Sequence, residues 1–140
     1  MYQEFSDDIK RFNAIYKLPN PSDPSLPTKE RIENFMDILK EEVDEGHDII
    51  NLLDKPKSAE NELAAMTALG DWLGDIIVYA ASEARRCGLP LEKILSIIMQ
   101  SNFSKLGDDD LPLYDQRGKV LKGPNYWAPE EKISQMLQDS

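Results

Sequence analysis

An all-α fold is predicted by three features of this 140-residue chain. Apolar residues recur at helical spacing in several long segments, and capping residues bracket those segments. No stretch shows the sustained alternation of a half-buried strand. The expected architecture is an antiparallel four-helix bundle-like core, with an N-terminal helix on a Pro-rich arm and an irregular C-terminal loop.

The first helix is predicted over 6–18, with Ile9, Phe12, Ile15 and Tyr16 on one face and Ser6 as its cap. Prolines between Pro19 and Pro27 rule out helix and favour an extended connection. Such an arm could carry the first helix across the body or onto a neighbouring subunit. Thr28 then caps a helix predicted over 28–53, whose apolar positions include Ile32, Phe35, Met36, Leu39, Val43, Ile49, Ile50 and Leu53. Ser58 caps the next, ending near Cys87 with Gly88 as its stop. Pro90 suits the first turn of a fourth helix reaching Gln100. Residues 101–128 are rich in Gly, Pro, Asp and Asn and read as irregular, and Pro129-Glu130-Glu131 opens a last short helix. The chain reads as one domain, 1–140: helix and arm over 1–27, core helices over 28–101, a loop over 102–128, and a short helix and tail over 129–140.

A net charge of −10 argues against a nucleic-acid partner. It also means that an anionic substrate needs cations close to the site. No apolar run approaches the length of a membrane span, and the N-terminus lacks a basic segment followed by an apolar one. The single cysteine, Cys87, cannot form an internal disulfide, which fits a reducing cytoplasm.

Two acidic clusters stand out: Glu41-Glu42-Val43-Asp44-Glu45 and Gly70-Asp71-Trp72-Leu73-Gly74-Asp75. At about 100° per residue, Glu41, Glu42 and Glu45 fall within one arc of about 100°, and Asp71 and Asp75 share a face one turn apart. Asp48 lies near the same stripe, while Asp44 and the lone histidine, His47, point away. Solvated helix faces are the plain explanation of such runs. The Asp71/Asp75 pair resists it, because Trp72, Leu73, Ile76 and Ile77 make its surroundings apolar. Apposed carboxylates repel unless a cation lies between them. Mg²⁺ suits an all-oxygen set and bridges to phosphate, with Mn²⁺ as a substitute. One His and one Cys cannot build a zinc shell, and the Glu-x-x-His repeats of a di-iron bundle are missing.

A cationic group lies further on. Ser101-Asn102-Phe103-Ser104-Lys105 and Gly118-Lys119-Val120-Leu121-Lys122-Gly123-Pro124-Asn125-Tyr126 gather three lysines, two amides and aromatics. In so acidic a chain this combination suits phosphate oxygens and a stacked base, the plain alternative being a turn-rich surface loop.

Together these strings resemble the all-α nucleoside triphosphate pyrophosphohydrolases, more narrowly their MazG-like branch related to phosphoribosyl-ATP pyrophosphohydrolase. The Gly-Lys-Val-x-Lys-Gly-Pro-Asn-Tyr string is the more specific part. Glu42 and Glu45 match the family's Glu-x-x-Glu. Asp75 matches the last position of Glu-x-x-Asp, but Trp72 stands three before it, so Asp71 would replace the glutamate. The Asp-Gly of this branch reads Asp110-Leu111. The resemblance implies Mg²⁺-dependent cleavage between the α- and β-phosphates, giving a nucleoside monophosphate and pyrophosphate, as a nucleotide-pool housecleaning activity. It implies Glu42, Glu45 and Asp75 as metal ligands, with Glu41 and Asp71 as ligands or as the base orienting water. Glu41, Glu42 and Asp71 are thus the catalytic candidates. Asn102, Lys105, Lys119, Lys122, Asn125 and Tyr126 would hold phosphate or nucleoside, making 102–128 a substrate loop. A homodimer or homotetramer is implied as well, with no nucleic-acid or membrane partner. Two alternatives stay open at this level: phosphoribosyl-ATP as the substrate, or a non-catalytic acidic helical adaptor.

Overall fold

The computed structural model describes residues 2–139, and among these described residues six α-helices form where the periodic segments lie. The chain is all-α; the only β-type pairing among the described residues is an isolated bridge between Tyr114 and Val120. Two compact units follow the chain, Met1–Leu89 and Pro90–Ser140.

In the first unit, α1 (Tyr2–Ile15), α2 (Lys29–Asp44), α3 (Gly46–Leu53) and α4 (Ala59–Arg86) pack with α4 as the common partner. Helix α1 starts four residues before the expected Ser6. Glu4 sits in its positive first turn, and the Gln3 amide bonds Asp7 one turn on at 3.0 Å, so helix is favoured there. Lys17 ends it in the left-handed region at φ 57°, with the Leu18 amide donating to the Asn13 carbonyl. The Asn13 side chain is fully buried and exchanges two hydrogen bonds with Ser82 on α4, which seats α1.

The arm between α1 and α2 is extended, as its prolines require. It is held to its own chain: Asn20 donates to the Lys10 carbonyl, and the Ser25 amide to that of Cys87. That second contact depends on Gly88, which closes α4 at φ 64° in a Schellman arrangement with the Asp23 carbonyl against its Cα. A side chain there would be strained and would strike backbone.

Thr28 and Ser58 cap α2 and α4 as expected, accepting from the Arg31 and Asn61 amides. Arg31 grips the buried Glu83 with two hydrogen bonds, of 3.0 and 2.6 Å, and Arg86 stands 3.8 Å from the same carboxylate. The Glu83 bond holds the Arg31 guanidinium above its usual pKa, while burial pushes the Cys87 thiol up. The helix expected over 28–53 is interrupted at Glu45, dividing it into α2 and α3.

Helix α4 is 28 residues long, with a mean hydropathy of 1.3 over its most apolar 18-residue window. By length and composition it therefore meets the requirement for a membrane span, although its apolar residues form no unbroken run of that length.

The second unit joins α5 (Leu91–Phe103) to α6 (Glu130–Gln138). Helix α5 runs three residues beyond Gln100, so Ser101 and Asn102 lie in its last turn rather than in the loop. The extension is anchored: Ser101 Oγ donates to the Trp127 carbonyl, and Ser104 Oγ accepts from the Trp127 amide. Gln138 closes α6 within the helix.

Candidate functional site

Helices α2 and α4 run antiparallel, since Arg31 bonds Glu83 near one end while Glu42 bonds Trp72 further along. This register brings the two acidic clusters to one neighbourhood. Glu42 is buried at 6% exposure, and its Oε1 has no hydrogen-bond partner. Its pKa is raised, first by burial and then by the charges of Glu45, Asp75 and Asp71. Three of the other four acidic candidates therefore act on Glu42, and they come from both acidic clusters. Glu45, Asp71 and Asp75 are exposed around the buried carboxyl; Glu41 is exposed and stands outside the set acting on Glu42. The solvated-face reading holds for Glu41 and fails for Glu42.

The break at Glu45 shapes this corner. Trp72 Nε1 donates to the Glu42 carbonyl at 2.7 Å. In an unbroken helix that carbonyl would be committed to the Gly46 amide; here it takes the indole and the Glu45 amide at 3.2 Å. The indole ring lies on Gly46, where an added Cβ would stand 2.9 Å from the ring. Gly46 and Trp72 thus form a clasp that positions Glu42 and Glu45, a role the sequence reading missed. Its signal was present: a glycine directly after an acidic turn, inside a long helical pattern, marks a weak point and a close approach.

A hard cation fits this corner in charge and in its orphaned buried oxygen. As placed, no three His, Cys, Asp or Glu side chains among the described residues converge closely enough to hold an ion by themselves. Mg²⁺ does not require that, because it is commonly bound by one or two carboxylates, with water and phosphate oxygens completing its octahedron.

In the second unit the two cationic strings are joined. The Gly123 amide donates to the Lys105 carbonyl, and Gly123 lies so close to the Lys105–Leu106 backbone that a side chain would collide with it. The Asn125 amide is held by Asp108 at 3.2 Å, and Lys122 Nζ lies 4.9 Å over the Tyr126 ring. Lys119 follows a tight turn in which Asp115 accepts from the Arg117 and Lys119 amides. Asn102 is exposed on α5, and Lys105 is half-buried just beyond it. Asp110 adopts φ 59°, a left-handed conformation that aspartate tolerates, while Leu111, at the position of the expected glycine, does not adopt it. All six substrate candidates belong to this unit.

An all-helical protein with a buried, charge-stressed carboxyl at a two-helix corner is the class these features define. No family model matches the chain, and no curated protein matches it. Among solved structures it is similar to a protein from Exiguobacterium sp. 255-15 described as a "putative NTP pyrophosphohydrolase". The two are 19% identical with a TM-score of 0.48, over 97% of this chain and 98% of that one.

Proposed function

We propose that the protein is a Mg²⁺-dependent nucleoside triphosphate pyrophosphohydrolase of the cytoplasmic nucleotide pool, acting without nucleic-acid or membrane partners. It adds water across the α–β anhydride and releases a nucleoside monophosphate and pyrophosphate. The observation that carries this reading is the buried Glu42 carboxyl, unpartnered at Oε1 and pressed by Glu45, Asp75 and Asp71. Burying a carboxyl among like charges is costly, and folds retain such groups chiefly where a ligand or a reaction uses them.

Glu42, Glu45 and Asp75 would hold the cation, with Asp71 and Glu41 as further ligands or as the group that orients the attacking water. When bound, Mg²⁺ neutralises phosphate charge and makes its coordinated water more acidic. The proton that the water gives up would pass to Glu41 or Asp71, whichever is not bound to the cation. The Trp72–Gly46 clasp keeps Glu42 from turning outward. In the second unit, Lys105, Lys119 and Lys122 supply charge for phosphate oxygens, while Asn102, Asn125 and Tyr126 supply amide and ring contacts for phosphate and nucleoside.

The test is pyrophosphate release from a panel of ribo- and deoxyribonucleoside triphosphates and phosphoribosyl-ATP, with and without Mg²⁺. Metal-dependent release from one or more supports the reading. No release from any, by protein shown to be folded, refutes it and leaves the adaptor.

A further inference from the structure

We infer that Ser101 and Ser104 are positioning residues, a latch at the end of α5 that sets where Lys122, Asn125 and Tyr126 stand relative to Asn102 and Lys105. The inference rests on the reading above that 102–128 holds the phosphates of a nucleotide. It gives a role to two side chains outside the proposed substrate contacts.

Ser101 and Ser104 lie about one turn apart where α5 ends, so their hydroxyls share a face. Together they hold both main-chain polar groups of Trp127. Ser101 Oγ donates to its carbonyl at 2.8 Å, and its amide donates to Ser104 Oγ at 3.2 Å. Ser104 Oγ in turn donates to the Ser101 carbonyl at 2.6 Å, which leaves its lone pairs to receive the Trp127 amide. Ser101 is 2% exposed, and a hydroxyl so far from water is stable only with its partner in place. A second anchor lies four residues earlier on the returning string, where the Gly123 amide meets the Lys105 carbonyl at 2.8 Å. Pairing 101 with 127 and 105 with 123 makes the two strings antiparallel.

Two observations make this a device for placing side chains rather than for holding a core. Leu111, Tyr114, Val120 and Leu121 are 59, 58, 48 and 41% exposed, so apolar burial does little to fix the loop and its polar anchors must. The candidate contacts also gather at those anchors. Asn102 directly follows Ser101, Lys105 follows Ser104, Lys122 precedes Gly123, and Asn125 and Tyr126 lie between Gly123 and Trp127. Lys132 Nζ lies 3.7 Å over the Trp127 ring, so the anchor residue is engaged through its side chain as well. Lys119 stands apart, fixed by its own Asp115 turn.

The test measures KM and kcat for the triphosphate that the wild type cleaves best, and calorimetric binding of inorganic triphosphate in Mg²⁺. Ser104→Ala should raise KM and the inorganic triphosphate Kd about tenfold, with kcat within about twofold, the pattern of lost uniform binding. Ser104→Thr keeps the hydroxyl and should restore both constants. Ser104→Ala should add little to Lys122→Ala, through which it acts, and should add fully to Lys119→Ala. Hydrogen exchange at the Trp127 amide should quicken in Ser104→Ala while far-ultraviolet circular dichroism stays unchanged. Unchanged KM and Kd, failure of Ser104→Thr to restore them, or full additivity with Lys122→Ala each overturn the inference. Loss of helicity in Ser104→Ala makes the serine a support of the fold and overturns it too. If no triphosphate is cleaved but inorganic triphosphate binds, the proposed activity fails and the Kd series alone decides the latch. A folded wild type that neither cleaves nor binds overturns both.

Discussion

Trp72 reaches across from α4 to hydrogen-bond the main-chain carbonyl of Glu42 at 2.7 Å, where the helix carrying the first acidic cluster is about to break. The bond fixes the backbone of the residue whose buried carboxyl has no hydrogen-bond partner at Oε1, and it ties the two acidic helices into one register. The consequences can be measured.

Trp72→Phe keeps most of the apolar area and deletes the donor, leaving a half-buried carbonyl short of a partner. A loss of about 1–2 kcal/mol is expected in urea unfolding. Gly46→Ala should cost a comparable about 1–3 kcal/mol, because the methyl group pushes the indole away. The two losses should be less than additive in a double-mutant cycle, since either change opens the same clasp.

Glu45→Gln should reduce Mg²⁺-dependent pyrophosphate release by roughly 100-fold or more, the effect of removing a few kcal/mol of charge stabilisation. Far-ultraviolet circular dichroism should be unchanged, because the Glu45 side chain is exposed and its capping bonds are made by the backbone. Activity at the wild-type level would place the metal elsewhere.

Glu42 has a pH signature. Its folded-state pKa lies above the unfolded value, so its ionisation opposes folding. The penalty is absent below the unfolded pKa, grows as pH rises, and is complete above the folded one. Glu42→Gln should therefore raise the melting temperature at pH 7–8 in metal-free buffer, with the gain shrinking as pH falls through the carboxylate range. Adding Mg²⁺ should stabilise the wild type more than the variant. Equal gains at every pH would show that Glu42 carries no such penalty.

Two left-handed helix ends predict opposite outcomes. Lys17→Gly relieves a non-glycine residue at φ 57° and should stabilise by about 0.5–1 kcal/mol in thermal or urea unfolding. Gly88→Ala introduces that strain and also drives a methyl into the Asp23 carbonyl, so it should cost more than about 2 kcal/mol. Loss of the arm contact should show as faster hydrogen exchange at the Ser25 amide.

Asn13→Ala removes the fully buried side chain that pairs with Ser82, leaving a hydroxyl and a carbonyl on α4 without their partner. A loss of about 1–3 kcal/mol is expected, and Ser82→Ala should lose little more when added to it.

The helices themselves were legible from local chemistry. Thr28 and Ser58 cap where a hydroxyl can reach a free amide, Gly88 stops α4 where a positive φ is needed, and the prolines of the arm forbid helix. These are interactions within a turn or so of the chain, so local order determines them. The acidic stripes were legible for the same reason, because spacing sets the face a side chain occupies. The break at Glu45 was not legible as a break: it depends on an indole thirty residues away that competes for the Glu42 carbonyl. Which acid of the Glu41–Glu45 run loses its water was likewise decided by tertiary structure, since Glu41 and Glu42 differ only in what α4 lays against them. The exposure of Leu63, Met66, Leu73 and Ile77 on α4 belongs to the same class. Periodicity marks those residues as apolar and facing one way, but burial is a property of what packs there, and only three-dimensional contact decides it.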